Sequence, residues 1–334
     1  MKKYNVAVLG ATGAVGREML KVLAERNFPV NTLKCLASPR SVGSKIMFAG
    51  KELTVELACN EAFEGMDIVL GAVDNKYAKE FAPAIKAAGA VFVDNSSAFR
   101  LCDDVPLVVP EINPEDVEKH NGIIANPNCS TIIALVAVNA IKELSPIKTM
   151  VASTYQAVSG AGAEGLTELE TQAKAYVEGG EITSKVFPYQ IAFNLIPQIG
   201  GFGENGYTSE EMKMQNEGRK IMHLPALKVN CTCVRVPVMR SHSISIALTT
   251  EKHITVEEAK EAIAKAKGCK LVDDPETKAY PMPLDTSDQD LVYVGRIRRD
   301  ITNEEFGLTL WCCGDQVRKG AATNAVQIAE LLAK

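Results

Sequence analysis

The segment Gly10-Ala-Thr-Gly13-Ala-Val-Gly16 joins a strand-length apolar run, Asn5–Leu9, to a stretch with helical spacing of apolar residues, Ala14–Asn27 (Val15, Met19, Val22, Leu23). A strand that ends in glycine and turns directly into a helix constrains the fold more than any other feature of this chain. Glycine lets the backbone approach a pyrophosphate closely, and the first turn of a helix offers free N–H groups to it. The spacing is GxxGxxG rather than GxGxxG, and the same glycines would also serve a tight, closely packed turn. The strand-to-helix context at the start of the chain favours a dinucleotide site.

The rest of the first third continues the alternation. Leu33–Ala37, Asp67–Val73 and Val91–Asp94 read as strands, and Tyr77–Ala88 reads as a helix stopped by Gly89. Short apolar strands between helices indicate a parallel sheet covered on both faces. From about Lys148 the pattern changes. Thr149–Val158, Val229–Pro237, Ser243–Thr250, Leu291–Ile297 and Leu308–Cys313 read as strands, with helices at Val256–Lys267 and Ala321–Ala333. Longer strands with fewer helices suggest a mixed or antiparallel sheet, of the kind often used for dimerisation. A length of 334 residues suits two domains, and no repeat or long linker separates them.

Composition excludes several classes. With 46% hydrophobic and 23% charged residues, the chain is neither disordered, collagen-like nor coiled-coil. A net charge of -5 without a basic run argues against nucleic acid as a partner. No apolar run approaches the ~18–20 residues of a membrane helix; the longest, Ile132–Ile141, is interrupted by Asn139. The N-terminus loosely mimics a signal peptide, but its apolar stretch is strand-length, rich in glycine and soon meets Arg17 and Glu18, so it reads as a first strand. The cytoplasm is therefore the expected compartment. The 9 cysteines are scattered, which suits reduced thiols. None has companions at zinc spacing, and no metal is expected.

Three further segments carry chemistry. NAD-binding folds place an acidic residue after the second strand; here Ala37-Ser38-Pro39-Arg40-Ser41 has none. Arg40 flanked by Ser38 and Ser41 suits a 2′-phosphate, which favours NADP over NAD, with an ordinary polar loop as the alternative. Cys129 lies in Asn126-Pro127-Asn128-Cys129-Ser130-Thr131, at the start of an apolar helix. The dipole and free N–H groups of a helix start stabilise a thiolate, so Cys129 reads as a nucleophile rather than one more small buried residue. A thiol nucleophile needs an acid or base nearby. His120 and His253 sit in charged stretches, and His223 lacks a companion motif. His242 follows a strand in which Val234, Val236 and Val238 alternate with Arg235 and Pro237. Arg235 on the face opposite the valines, with His242 beyond it, suits either a polar site wall or a plain surface strand.

Together these motifs resemble the aspartate-semialdehyde dehydrogenase family, over nearly the whole chain: GATGAVG, DNSSAFR, PLVVPEIN, NPNCST, TYQAVSGAG, SEEMKMQNEGRKI, CVRVPVMRSHS, VGRIRRD and KGAATNAVQIAE. The resemblance implies an α/β chain: an N-terminal Rossmann-type, doubly wound NADP-binding domain over 1–128, completed by a C-terminal helix at 315–334, and an α+β catalytic and dimerisation domain with a mixed sheet over 129–314. It implies NADPH-dependent reduction of β-aspartyl phosphate to aspartate semialdehyde with release of phosphate, in the biosynthesis of lysine, threonine, methionine and diaminopimelate, by a homodimer or a dimer of dimers.

It also implies roles. Cys129 forms an acyl-thioester, Gln156 orients the acyl group, His242 is the acid/base and Arg235 binds the α-carboxylate as a bidentate fork. Arg100 and Lys213 match the phosphate-binding pair, and Glu210 contacts the substrate amine. Gly10, Thr12, Gly13, Ala14, Val15, Gly16, Ser38, Arg40, Ser41, Ser159, Gly160 and Gln316 fall at cofactor positions. Ala72-Val-Asp-Asn75 replaces the family's common glycine-serine run, and Ala125 replaces a serine. The rival readings are an N-acetyl-glutamyl-phosphate reductase and a catalytically inert NADP-binding regulator. The contexts of Gln156, Arg235 and His242 disfavour the first, and an intact NPNCST beside His242 disfavours the second.

Overall fold

The computed structural model describes residues 2–333; Met1 and Lys334, the outermost residues of the expected domain ranges, lie outside them. The chain divides into two compact units, Met1–Asn128 with Ala321–Lys334, and Cys129–Gly320.

The first unit is built on β1 (Tyr4–Leu9), α1 (Ala14–Glu25), β2 (Val30–Ala37), β3 (Lys45–Phe48), β4 (Lys51–Leu57), β5 (Ile68–Gly71), α2 (Asn75–Ala87), β6 (Val91–Asp94) and β7 (Ile123–Ala125). The sheet order is β3-β4-β2-β1-β5-β6-β7. All pairs are parallel except the β3–β4 hairpin. Val6, Ala7 and Val8 of β1 are all buried, because both faces of a parallel sheet are covered. The stripe Met19, Val22, Leu23 of α1 enters this core as its spacing requires. The expected helix to Asn27 stops at Glu25, since Asn27 takes a left-handed φ of 52° that reverses the chain.

The C-terminal helix, Thr323–Leu332, closes this unit. Ala325, Val326, Ile328 and Ala329 join the core, and Arg26 grips Glu330 through Nε and Nη2, each at 2.7 Å. The regular helix expected from Ala321 instead opens with a π-helical turn over Arg318–Ala322. Residues 315–320, expected with the first domain, belong to the second unit. Asp315 and Gln316 are held there by Arg240 and Ser241.

The second unit begins with α3 (Cys129–Leu144), followed by β8 (Ile147–Gln156), α4 (Gly162–Glu178), α5 (Ser209–Ile221), β9 (Lys228–Arg235), β10 (His242–Thr250), α6 (Val256–Lys265), β11 (Cys269–Leu271), α7 (Pro283–Thr286), β12 (Val292–Arg299) and β13 (Gly307–Gly314). Its sheet, β11-β12-β13-β10-β8-β9, is mixed: β8–β9 and β11–β12 are parallel and the other pairs antiparallel. Helix α3 is apolar nearly all round and packs against β8, β10, β12 and β13, as a fully buried helix should. It covers the face bearing Met150, Ala152, Ile244, Ile246, Leu308 and Leu310. The opposite face, with Val151, Ser153, Tyr155, Ser245, Ala247 and Trp311, stays at least partly exposed. Helix α6 ends at Lys265 rather than Lys267, where Ala266 turns extended ahead of a left-handed Gly268. Among the described residues, no helix is long and apolar enough to cross a membrane.

Candidate active site

Helix α3 starts on Cys129 itself, so the thiol occupies the first turn, where backbone N–H groups are not bonded within the helix. Its Sγ lies 3.6 Å from Nε2 of His242. The imidazole is fully buried, and its Nδ1 accepts the Ala157 N–H at 3.1 Å. An occupied acceptor at Nδ1 leaves the proton of the neutral ring on Nε2, the nitrogen beside sulfur. Burial, reinforced by the Arg235 charge and opposed by Glu210, pushes the pKa of His242 down to about 3. The ring is therefore neutral near pH 7. Space around Cys129 is tight: a Cβ on Gly320 would come within 2.8 Å of the cysteine Cβ.

Strand register assembles the remaining groups. Gln156 ends β8 and Arg235 ends β9, and the two are direct partners in the parallel ladder, so both side chains project from one face. His242 opens β10, the antiparallel neighbour of β8. Arg235 therefore lies on the face opposite Val234, as the alternation requires, and that face is the buried one rather than that of a plain surface strand. Cys231, Cys233 and Arg235 form the buried side of β9, and Val234 is the half-buried residue. The Arg235 Nη1 donates to the Ala157 carbonyl at 2.6 Å, and its Cζ lies 5.7 Å from the centre of the Phe187 ring. A Cβ on Gly160 would come within 2.9 Å of Arg235 Nη1 and 3.4 Å of His242 Nε2, so glycine there keeps the space beside both groups open.

Gln156 is fixed at both ends of its amide. Thr154 Oγ1 donates to its Oε1 at 2.9 Å, and its Nε2 donates to Glu210 Oε1 at 3.2 Å. Lys213 Nζ pairs with Glu210 Oε2 at 2.8 Å. Helix α5 is held at this position by a capping box between Thr208 and Glu211, and Glu211 also accepts the Cys233 N–H at 3.0 Å. The cluster can activate a thiol, orient a polar acyl group and hold a carboxylate with a cationic fork. Ser159 and Gln316 are also in this unit: the Gln316 Nε2 donates to Ser159 Oγ, and its Oε1 accepts the Ser241 N–H at 2.9 Å.

The other expected residues lie in the first unit. Gly10, with φ 86°, turns the chain after β1 so closely that a Cβ would meet the Ala72 carbonyl oxygen at 2.3 Å. Gly16 is equally constrained, since its Cβ would meet the Gly10 oxygen at 2.2 Å. This close turn sits where the strand order reverses between β1 and β5, the crevice in which doubly wound sheets bind ligands. Helix α1 begins at Ala14 behind Gly13, followed by Val15, with no side-chain cap and no acidic residue in its first turn. That leaves its start suited to an anion. Ser38 precedes the short 3-10 turn Pro39–Ser41, Arg40 is exposed, and Ser41 Oγ lies 3.4 Å from Thr12 Oγ1. Arg100 is buried and donates to the carbonyls of Asn126 and Asn95, at 3.0 and 2.7 Å. Its neighbour Asp94 has its pKa raised by burial, against the Ser96 hydrogen bonds and the Arg100 charge.

His120 is half-buried, and His223 and His253 are exposed. Sequence reasoning missed Ala157, Thr154 and Phe187. Ala157 acts through its backbone, which no residue pattern announces. Thr154 lies two residues before Gln156, on the same face of β8, and that spacing was a usable signal.

Comparisons with known proteins identify the family. Residues 5–120 match the family model described as the NAD-binding domain of semialdehyde dehydrogenase, and residues 139–319 match its dimerisation domain. The chain is 54% identical to the aspartate-semialdehyde dehydrogenase of Aquifex aeolicus, over 99% of this chain and 98% of the relative. It is 52% identical to that of Synechocystis, over 98% and 97%. The crystal structure of aspartate semialdehyde dehydrogenase II from Vibrio cholerae superposes with a TM-score of 0.97 at 44% identity, covering 99% of both chains. A second structure of that protein is described as complexed with ASA. With similarity this high and running end to end, the chain belongs to the aspartate-semialdehyde dehydrogenase family.

Proposed function

We propose that this protein reduces β-aspartyl phosphate to aspartate semialdehyde through a thioester on Cys129. The observation that carries the reading is the pairing of the half-buried Cys129 with the buried His242, with Gln156 and Arg235 adjacent at the strand ends. The Cys129 thiolate attacks the acyl carbon, the carbon–oxygen bond to phosphate breaks, and a thioester remains. NADPH, when bound, supplies the hydride that reduces the thioester carbonyl. The resulting alkoxide collapses by breaking the C–S bond, which frees the aldehyde and restores the thiolate. His242 holds its proton at Nε2, beside sulfur, where as the acid of the pair it stabilises first the thiolate and then the charge that develops on the tetrahedral oxygen. Arg235 holds the substrate α-carboxylate, Glu210 its amine and Gln156 its acyl oxygen. Arg100 and Lys213 serve the phosphate.

For the cofactor, the glycine turn and uncapped helix start of the first unit suit a pyrophosphate. The exposed Arg40, with Ser38 and Ser41, suits a 2′-phosphate, and so favours NADP. Gly10, Thr12, Gly13, Ala14, Val15 and Gly16 form the turn, and Ser159 and Gly160 serve the nicotinamide end. The protein acts in the cytoplasm as a homodimer formed through the open face of the second sheet. All nine cysteines stand as reduced thiols, in keeping with that compartment.

The test is phosphate-dependent reduction of NADP with aspartate semialdehyde, run beside its one-carbon-longer N-acetylated analogue. A strong preference for aspartate semialdehyde is expected. Preference for the analogue would assign the N-acetyl-glutamyl reaction instead, and no turnover of either would leave an inert NADP-binding protein.

A further inference from the structure

Among the described residues, eight other than glycine have positive φ, and of these only Ser241 is buried, with φ 76° and no exposed surface. The others, such as Asn27, Ala49 and Asp288, lie on the surface, where turns tolerate such a backbone. An interior serine in the left-handed region is strained, and persists only where its surroundings fix it. Ser241 immediately precedes His242, so its backbone angles set where the imidazole starts.

The surroundings that fix it are specific. The Ser241 N–H donates to Gln316 Oε1 at 2.9 Å, and its hydroxyl bonds that of Thr286, itself fully buried. One residue earlier, Arg240 Nε pairs with Asp315 Oδ2 at 2.6 Å. Gln316 has a second hold: its Nε2 donates to Ser159 Oγ. Ser159 belongs to the loop after β8 that carries Ala157, whose N–H bonds His242 Nδ1. The same loop is joined to the turn after β9 by Val158 N–H to the Val238 carbonyl at 2.9 Å, and Ser159 N–H to the Met239 carbonyl at 3.3 Å. One carboxamide therefore ties the residue before His242 to the loop that orients its ring.

We propose that Gln316 is a positioning residue for His242. With Thr286, it holds Ser241 in the left-handed conformation and fixes the imidazole Nε2 beside Cys129. This goes beyond the cofactor position that family resemblance gives Gln316, and it rests on the acid/base role proposed for His242.

The test is Gln316→Met, with kcat, the KM for aspartate semialdehyde and the Kd for NADPH measured by fluorescence titration. A kcat lower by about 10- to 100-fold at saturating NADPH is expected, whatever the change in NADPH Kd, since misplacement of a reacting group acts on the chemical step. In that background Ser241→Gly should recover part of the lost kcat, because glycine adopts positive φ without support. Thr286→Val and Thr286→Ser give an independent readout should Gln316→Met fold poorly: only the valine variant should lose kcat. An NADPH Kd raised with kcat intact at saturation, or equal kcat for the two Thr286 variants, would overturn the inference. His242→Gln, run alongside, separates the two levels. Loss of kcat there with wild-type kcat in Gln316→Met refutes the positioning role alone. Wild-type kcat in His242→Gln refutes the acid/base reading and the inference with it.

Discussion

His242 combines full burial with an obligatory hydrogen bond from the Ala157 amide, and both favour the neutral ring. Its pKa of about 3 in the folded chain lies below the 6.5 of a free imidazole. The unfolded chain therefore takes up the proton first as pH falls, and stability drops from about pH 6.5 down to about pH 3. Between pH 7 and pH 5 that loss amounts to about 2 kcal/mol. His242→Gln removes it, so urea unfolding at the two pH values should show a shallower loss in the variant than in the wild type. Identical slopes would show that the ring is charged or solvated in the native state. Arg235 should act differently from His242. A guanidinium that binds carboxylate in ground and transition states alike appears mainly in KM. Arg235→Lys, which lacks the bidentate fork, should raise the KM for the semialdehyde more than it lowers kcat. A pure kcat effect would move Arg235 from binding to chemistry.

At the level of elements, the glycine turn after β1 was legible because steric demand leaves glycine as the residue that fits: Gly10 and Gly16 each touch backbone where a side chain would stand. Cys129 at a helix start was legible from its Asn-Pro-Asn approach. The depth of Arg235 was not, because strand alternation gives two faces without saying which is covered, and here the cysteines rather than the valines point inward. Helix α5 carries its own signal, Thr208 followed by Glu211, but nothing in its charged sequence singles out Glu210 and Lys213, whose roles rest on the family resemblance. The Ser241 clamp had no sequence signal, since its geometry depends on residues 45 and 75 positions away. Arg40 is a direct test of the 3-10 turn after β2. Arg40→Ala should raise the KM for NADPH by about 10- to 100-fold, the worth of a charge-assisted hydrogen bond, and leave that for NADH almost unchanged. Equal losses for both cofactors would make Arg40 a structural residue.

On the scale of the whole molecule, the second sheet leaves one face uncovered by its own helices, with Val151 52% exposed at its middle. An apolar residue at the centre of an open sheet face suits a second copy of the chain, and the match to a dimerisation domain spans this sheet. Val151→Arg together with Ala247→Arg should shift the sedimentation coefficient from dimer to monomer. An unshifted dimer would place the contact on another surface.

The covalent mechanism is tested most directly by rapid mixing of the enzyme with β-aspartyl phosphate in the absence of cofactor. Phosphate should be released in a burst equal to the concentration of active sites, and intact-mass and peptide analysis should find one aspartyl group on Cys129. Cys129→Ala should abolish both signals while still binding NADPH. Absence of the burst in the wild type, or its survival in Cys129→Ala, would contradict the thioester on Cys129.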